Sequence, residues 1–336
     1  MPEIFLPQKI YFGENSIEKF TRNDFESVLI ISDKDDAKKS EFAEKIKESF
    51  GKKVPVVELI IEPDLGSLHE RSIKYISENE TDRIVAVGSA GLIDTAMLLS
   101  YQSGIGFSAV PFFSSSALTD FEETKYKTYR TSPKEVVLDP ELTMQIDSGT
   151  VAYDSLSCFA YAVDSLICGG NAVIGSLALS SAAEILNNAV GAYRGNFKSI
   201  QKLQYAMYYA VLASRNTDCA ESSSLEEVTS FFTQLGISKQ TAAAICIPEI
   251  AEYYRSEIPS ELARMTGLFR SGEDSLYAVD RLVERIRRVQ AALNIPRSIS
   301  SICSENELYH AFCENTHLPT ELLDICYYGS FKFMKL

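Results

Sequence analysis

Short, unbroken apolar runs alternate with Lys/Glu-rich stretches through the first 138 residues of this 336-residue chain. That alternation limits the fold more than any other feature. The runs at 27–32, 54–61, 83–87 and 106–110 are rich in β-branched residues and have strand length. A run with no polar alternation suits a strand covered on both faces, as in a parallel sheet. The polar stretches between them, such as 36–50 and 68–79, have the pattern of amphipathic helices that cover such a sheet. Strands that alternate with helices need crossover connections, so this part is expected to be an α/β, Rossmann-like domain.

The texture changes after Leu138. Asp139-Pro140 marks a turn and the start of a short helix. Helix formers then dominate, at 151–166, 175–190, 200–214, 241–255 and 277–293. Gly169, Gly170, Gly191, Gly236, Pro248 and Pro259 are expected to punctuate these helices or lie near their ends. No strand pattern survives. A chain this long exceeds one ordinary core. The expected division is an α/β, dinucleotide-binding-like domain at 1–146 and an all-helical domain at 147–336. A cleft between two such domains is the default place for a ligand.

With 46% hydrophobic and 23% charged residues the chain reads as an ordinary globular protein. A net charge of −14 repels polyanions, so nucleic acid is not an expected partner; a small-molecule substrate or a nucleotide is. No apolar run long enough for a bilayer is apparent, so no membrane association is expected, and the N-terminus lacks a signal-peptide pattern. Seven cysteines, odd in number and without a C-x-x-C pair, argue against a disulfide framework and for a reducing, cytoplasmic setting. Only three histidines occur, His69, His310 and His317.

One segment has the form of a phosphate site. The strand at 83–87 runs into Gly88-Ser89-Ala90-Gly91, with Asp94 following. Small residues at a strand end let backbone N–H groups approach an anion, and a helix N-terminus adds its positive end. A tight strand–helix turn that needs glycine for its own sake reads equally well. Asp33 closes the strand at 28–32. It could accept hydrogen bonds from ribose hydroxyls and repel a 2′-phosphate, or simply cap the following helix.

Taken in order, these segments resemble the iron-containing alcohol dehydrogenases, whose fold is shared with dehydroquinate synthase. Ile10-Tyr11-Phe12-Gly13 is similar to the family's opening strand, and Glu62-Pro63-Asp64 to a loop farther on. Gly88 to Met97 aligns with G-G-G-S-x-x-D-x-A-K, and Val110-Pro111-Phe112-Phe113-Ser114-Ser115-Ser116 with P-T-T-x-G-T-G-S-E. Asp139-Pro140-Glu141-Leu142-Thr143 matches D-P-x-L-T; Asp154-Ser155-Leu156-Ser157-Cys158 lies on D-A-L-x-H. The resemblance implies a nicotinamide cofactor, NAD(H) or NADP(H), held by Asp33, Gly88, Ser89, Gly91, Asp94, Ser114, Ser115 and Ser116. NAD is preferred on the strength of Asp33. It also implies a Lewis-acid divalent metal in the helical domain, and a homodimer.

The metal ligands are where the chain departs. The family uses an Asp, a His four residues on, and two later His. Here Asp154 remains, Cys158 replaces the first His, and Thr229 and Lys239 fall at the other two places. No histidine lies between His69 and His310, so the family's usual iron or zinc is not expected. A rebuilt site would use Asp154 and Cys158 with Glu226 or Glu227; a salt bridge from Lys239 to Asp154 would fill the vacancy instead. His310 and His317 are expected at the surface, and Arg285-Ile286-Arg287-Arg288 on a solvated helix face.

Three functions stay open. The first is a metal-independent alcohol or aldehyde oxidoreductase, with Lys239 polarising the carbonyl and Tyr153 or Tyr161 donating a proton. The second is a catalytically inactive relative acting as a nucleotide-binding or scaffolding module. The third is a different chemistry in the same fold, as dehydroquinate synthase illustrates.

Overall fold

The computed structural model describes residues 4, 6–22, 25–33, 37–50, 56–61, 65–88, 90–111, 132–144, 146–169, 171–217, 224–267, 269, 272–314 and 316–329. Its contacts divide the chain into two compact units, Met1–Ile146 and Asp147–Leu336.

Among the described residues the first unit is built on one sheet of six strands. These are β1 (Lys9–Phe12), β2 (Val28–Asp33), β3 (Val56–Ile61), β4 (Arg83–Gly88), β5 (Phe107–Pro111) and β6 (Glu135–Leu138). Their order is β1-β6-β5-β4-β2-β3, and every pairing is parallel. Val28 to Ile31 and Ile84 to Val87 are fully buried, as continuous apolar strands covered on both faces must be. The unit's described helices are α1 (Ser16–Thr21), α2 (Ala37–Phe50), α3 (Leu65–Glu78), α4 (Ala90–Ser103) and α5 (Pro140–Thr143). On one side of the sheet Phe20, Phe25 and Phe50 pack with Val28, Ile30, Val85 and Val137. Their rings meet edge-on or tilted at 5.5–5.9 Å, an arrangement favoured by the ring quadrupoles.

Strand β6 carries no continuous apolar signal, because it opens on Glu135. The structure explains how a carboxylate enters a sheet. Arg83 Nη1 lies 3.0 Å from Glu135 Oε2, and Ser108 Oγ donates to the same oxygen at 2.7 Å. One residue each from β4, β5 and β6 thus closes a buried polar set. Asp139, just after β6, caps α5 by accepting from the N–H of Glu141 and also accepts from the N–H of Ile17 at the start of α1. Burial pushes its carboxyl up from the ordinary range, against the pull of those two bonds.

The second unit is helical, with no strand among its described residues. Its helices are α6 (Ser148–Ile167), α7 (Ala172–Tyr193), α8 (Phe197–Arg215), α9 (Ser224–Thr233), α10 (Lys239–Tyr253), α11 (Pro259–Arg264), α12 (Ser275–Ala292), α13 (Asn306–Cys313) and α14 (Thr320–Tyr328). Asp147, Asn171, Asn196, Ser238 and Asp274 cap α6, α7, α8, α10 and α12 by accepting first-turn N–H groups. Helices α9, α11, α13 and α14 were not apparent from periodicity; each is ten residues or shorter.

Of the expected breakers, Gly191 lies near the end of α7, where a Cβ would collide with Ser199 of α8, so the glycine also permits close helix packing. Pro248 sits within α10. Proline has no N–H to give the carbonyl four residues back, which leaves Ala244 O open. Gln290 Nε2 fills the gap, donating to Ala244 O at 2.8 Å and Ile245 O at 3.0 Å from α12.

Three other expectations are revised. Helix α7 is long and apolar enough, by length and composition, to cross a membrane, although no such run was evident in the sequence. Its Ile174, Ala178, Ala182, Ile185 and Ala189 are buried, and it packs on α6, α8 and α12. Cys168 is disulfide-bonded, against the expectation of free thiols in a reducing compartment. Arg285 and Arg287 do not lie on a purely solvated face. Arg285 donates to Thr266 O and Asn187 Oδ1, and Arg287 bridges Glu249 and Glu252 at 2.9 and 2.7 Å. Arg288 is exposed, as are His310 and His317.

Candidate functional site

In the first unit the strand order reverses between β2 and β4. The chain steps outward from β2 to β3, returns across β2 to β4, and then continues the other way through β5 and β6. In open parallel sheets the crevice beyond the carboxyl ends at such a reversal is where ligands bind. The register pairs Ser32 with Val87, so Asp33 and Gly88 end adjacent strands side by side. Gly88 has φ of 141°, a conformation a side chain would strain, and α4 begins two residues later. Gly91 lies in the first turn of α4. Asp94 follows one turn on, half-buried and engaged with another group. Ser89, Ser114, Ser115 and Ser116, with Phe112 and Phe113, lie outside the described residues.

These features suit a dinucleotide. A glycine with positive φ at the strand end keeps the approach to the helix N-terminus free of side chain, and the helix brings partial positive charge to it. The acidic strand end sits next to that glycine. What the sequence alone could not show is the strand order that makes neighbours of two residues 55 positions apart.

In the second unit α6, α9 and α10 pack against one another. Asp154 and Cys158 stand one turn apart on α6, hence on one face. Asp154 is half-buried and engaged. Cys158 is fully buried, and burial, with the Asp154 charge beside it, pushes its thiol well above the ordinary range. Thr229 of α9 is buried, and its hydroxyl turns to its own helix, donating to Leu225 O at 2.8 Å and Glu226 O at 3.1 Å. Lys239 is the first residue of α10, half-buried and engaged. Tyr153 is half-buried on α6, and desolvation raises its phenol, keeping the proton in place at neutral pH.

A divalent metal does not fit this donor set. A lysine ammonium has no lone pair to give. Glu227, a candidate for a rebuilt site, lies 3.5 Å from His317 Nε2. Among the described residues no three His, Cys, Asp or Glu side chains come together as metal ligands.

Comparison with known proteins agrees with this architecture. No protein-family model matches the chain. The NADPH-dependent butanol dehydrogenase of Clostridium saccharobutylicum is 21% identical over 340 residues, covering 89% of this chain and 86% of that protein. Among solved structures, the alcohol dehydrogenase from Oenococcus oeni superposes with a TM-score of 0.80 at 18% identity, covering 97% of this chain and all of that one, 100%. A 1,3-propanediol oxidoreductase matches with a TM-score of 0.77 at 18% identity, covering 94% of this chain and 92% of its own. The aldehyde reductase YqhD from E. coli matches at 0.73 and 16% identity, covering 93% and 92%. In fold the chain is similar to these alcohol dehydrogenases and aldehyde reductases along nearly its whole length, and its sequence likeness to the butanol dehydrogenase runs through most of both chains.

Proposed function

We propose that this chain binds a nicotinamide dinucleotide beyond the carboxyl ends of β2 and β4 and serves an oxidoreductase reaction on a small alcohol or aldehyde. The observation that carries the reading is that Asp33 and Gly88 end the neighbouring strands β2 and β4, each one residue past the pair Ser32 and Val87, at the sheet's reversal point. The named relatives, dehydrogenases and a reductase of alcohols and aldehydes, support the same class. The dinucleotide, when bound, supplies or accepts the hydride. Gly88 and the first turn of α4, with Gly91, receive the diphosphate. Asp33 holds ribose hydroxyls and disfavours a 2′-phosphate, so NAD(H) is preferred over NADP(H). Lys239 provides positive charge for a carbonyl oxygen, and Tyr153, protonated at neutral pH, can supply a proton.

A second reading has its own support. Ser89 and Ala90 stand where the family has glycine, and the metal histidines are gone together. A chain so altered could bind a nucleotide without turning over.

Calorimetric titration of the full chain with NADH and NADPH separates these readings. NADH binding, together with oxidation of NADH by an aldehyde panel, supports the oxidoreductase. NADH binding with no turnover favours the nucleotide-binding module. No binding of either dinucleotide to folded protein sinks both. Asp33→Gly should narrow the preference for NADH over NADPH by about tenfold or more, the loss of one repulsive contact of roughly 1.4 kcal/mol.

A further inference from the structure

We propose that the ammonium of Lys239 stands where the fold family's metal charge would be, next to Asp154 and Cys158, so that the helical unit takes up no divalent cation. The inference does not depend on the dinucleotide reading, since it concerns the charge of one side-chain cluster.

Three observations lead to it. Asp154 and Cys158 stand as a carboxylate and a sulfur one turn apart on α6, and α10 packs directly on that helix. Two such donors without a third leave a divalent ion mostly to water: among the described residues no third Glu, Asp, Cys or His joins them, the Thr229 hydroxyl turns to its own helix carbonyls, and Glu227 lies near His317. Lys239 itself is poorly placed for its own helix. It follows the Ser238 cap directly, in a first turn that contains no acid, where the helix dipole opposes a cation. Its half-buried position is therefore not explained by α10, and it suits a lysine that answers a carboxylate on a neighbouring helix. Asp154 and Lys239 are each engaged with another group. A fixed positive charge in that place repels a dication and satisfies the carboxylate permanently.

The test needs no cofactor and no substrate. The full-length protein, treated with chelator and dialysed, is titrated with zinc and with ferrous iron, its metal content is measured by mass spectrometry, and its thermal unfolding is followed with and without chelator. Metal content well below one per chain and an unchanged Tm are expected. Lys239→Gln, which removes the charge and keeps most of the length, should tighten zinc binding by about tenfold or more, while Lys239→Arg should exclude zinc as the natural residue does. One tightly held metal per natural chain would overturn the proposal. So would a Lys239→Gln variant, folded by circular dichroism, whose zinc affinity equals that of the natural chain.

Discussion

Pro248 would end most helices, yet α10 runs through it because a glutamine from another helix completes its hydrogen bonds. Removing that amide leaves the Ala244 carbonyl, whose helical donor Pro248 cannot supply, without a partner. Gln290→Leu is expected to destabilise the fold by about 1–3 kcal/mol, seen as a lower urea midpoint with little change in slope. A variant as stable as the natural chain would show that water reaches Ala244 O. Close by, Glu249 is buried, and desolvation lifts its carboxyl above the ordinary range despite Arg287 beside it. The folded chain thus holds this proton more tightly than the unfolded chain. Its contribution favours folding at acid pH and is lost as pH rises through the raised value. Urea midpoints measured across a pH series above about 4.3 should therefore fall relative to those of Glu249→Gln, which cannot titrate. Parallel pH profiles would refute the assignment. Neither role is visible along the chain, since a glutamine and a glutamate on amphipathic helices look like surface residues until the partner helix is in place. The missing histidines, by contrast, were legible at once, because an absent residue type needs no fold to be absent.

At the scale of elements, β4, β5 and β6 are joined at their amino ends by Arg83, Ser108 and Glu135. The Arg83 and Glu135 side chains are only 13% and 10% exposed. A buried pair contributes little net stability when intact but is costly to break, because the survivor is left charged and desolvated. Glu135→Ala should cost about 3–5 kcal/mol, and the double change to apolar residues of similar volume much less. Equal losses in the single and double variants, measured by chemical denaturation, would show that packing rather than charge dominates there. Strands β2 and β4 were readable from their unbroken apolar runs. Strand β6 was not, because its burial of a glutamate depends on an arginine two strands away. The short helices of the second unit escaped for a related reason. With ten residues or fewer, few turns repeat the apolar spacing, and packing rather than pattern holds them.

For the whole molecule, local pattern was enough to divide a strand–helix half from a helical half, because periods of two and 3.6 residues are properties of neighbours in sequence. The ordered likeness to a dehydrogenase family was likewise carried by short motifs. The scarcity of histidine, three in the whole chain, carried the expectation that this family's usual ligand set is missing. Tertiary structure decided what distance in sequence conceals. It set the order of the parallel strands, and with it the meeting of Asp33 and Gly88 at the sheet's reversal. It brought together the three helices that carry Asp154, Thr229 and Lys239, and it supplied the partner that lets α10 tolerate a proline. It also placed Cys168 in a disulfide that cysteine spacing did not suggest. Each of these depends on contacts between residues far apart along the chain, and such contacts are selected by burying shared surface rather than by any local preference.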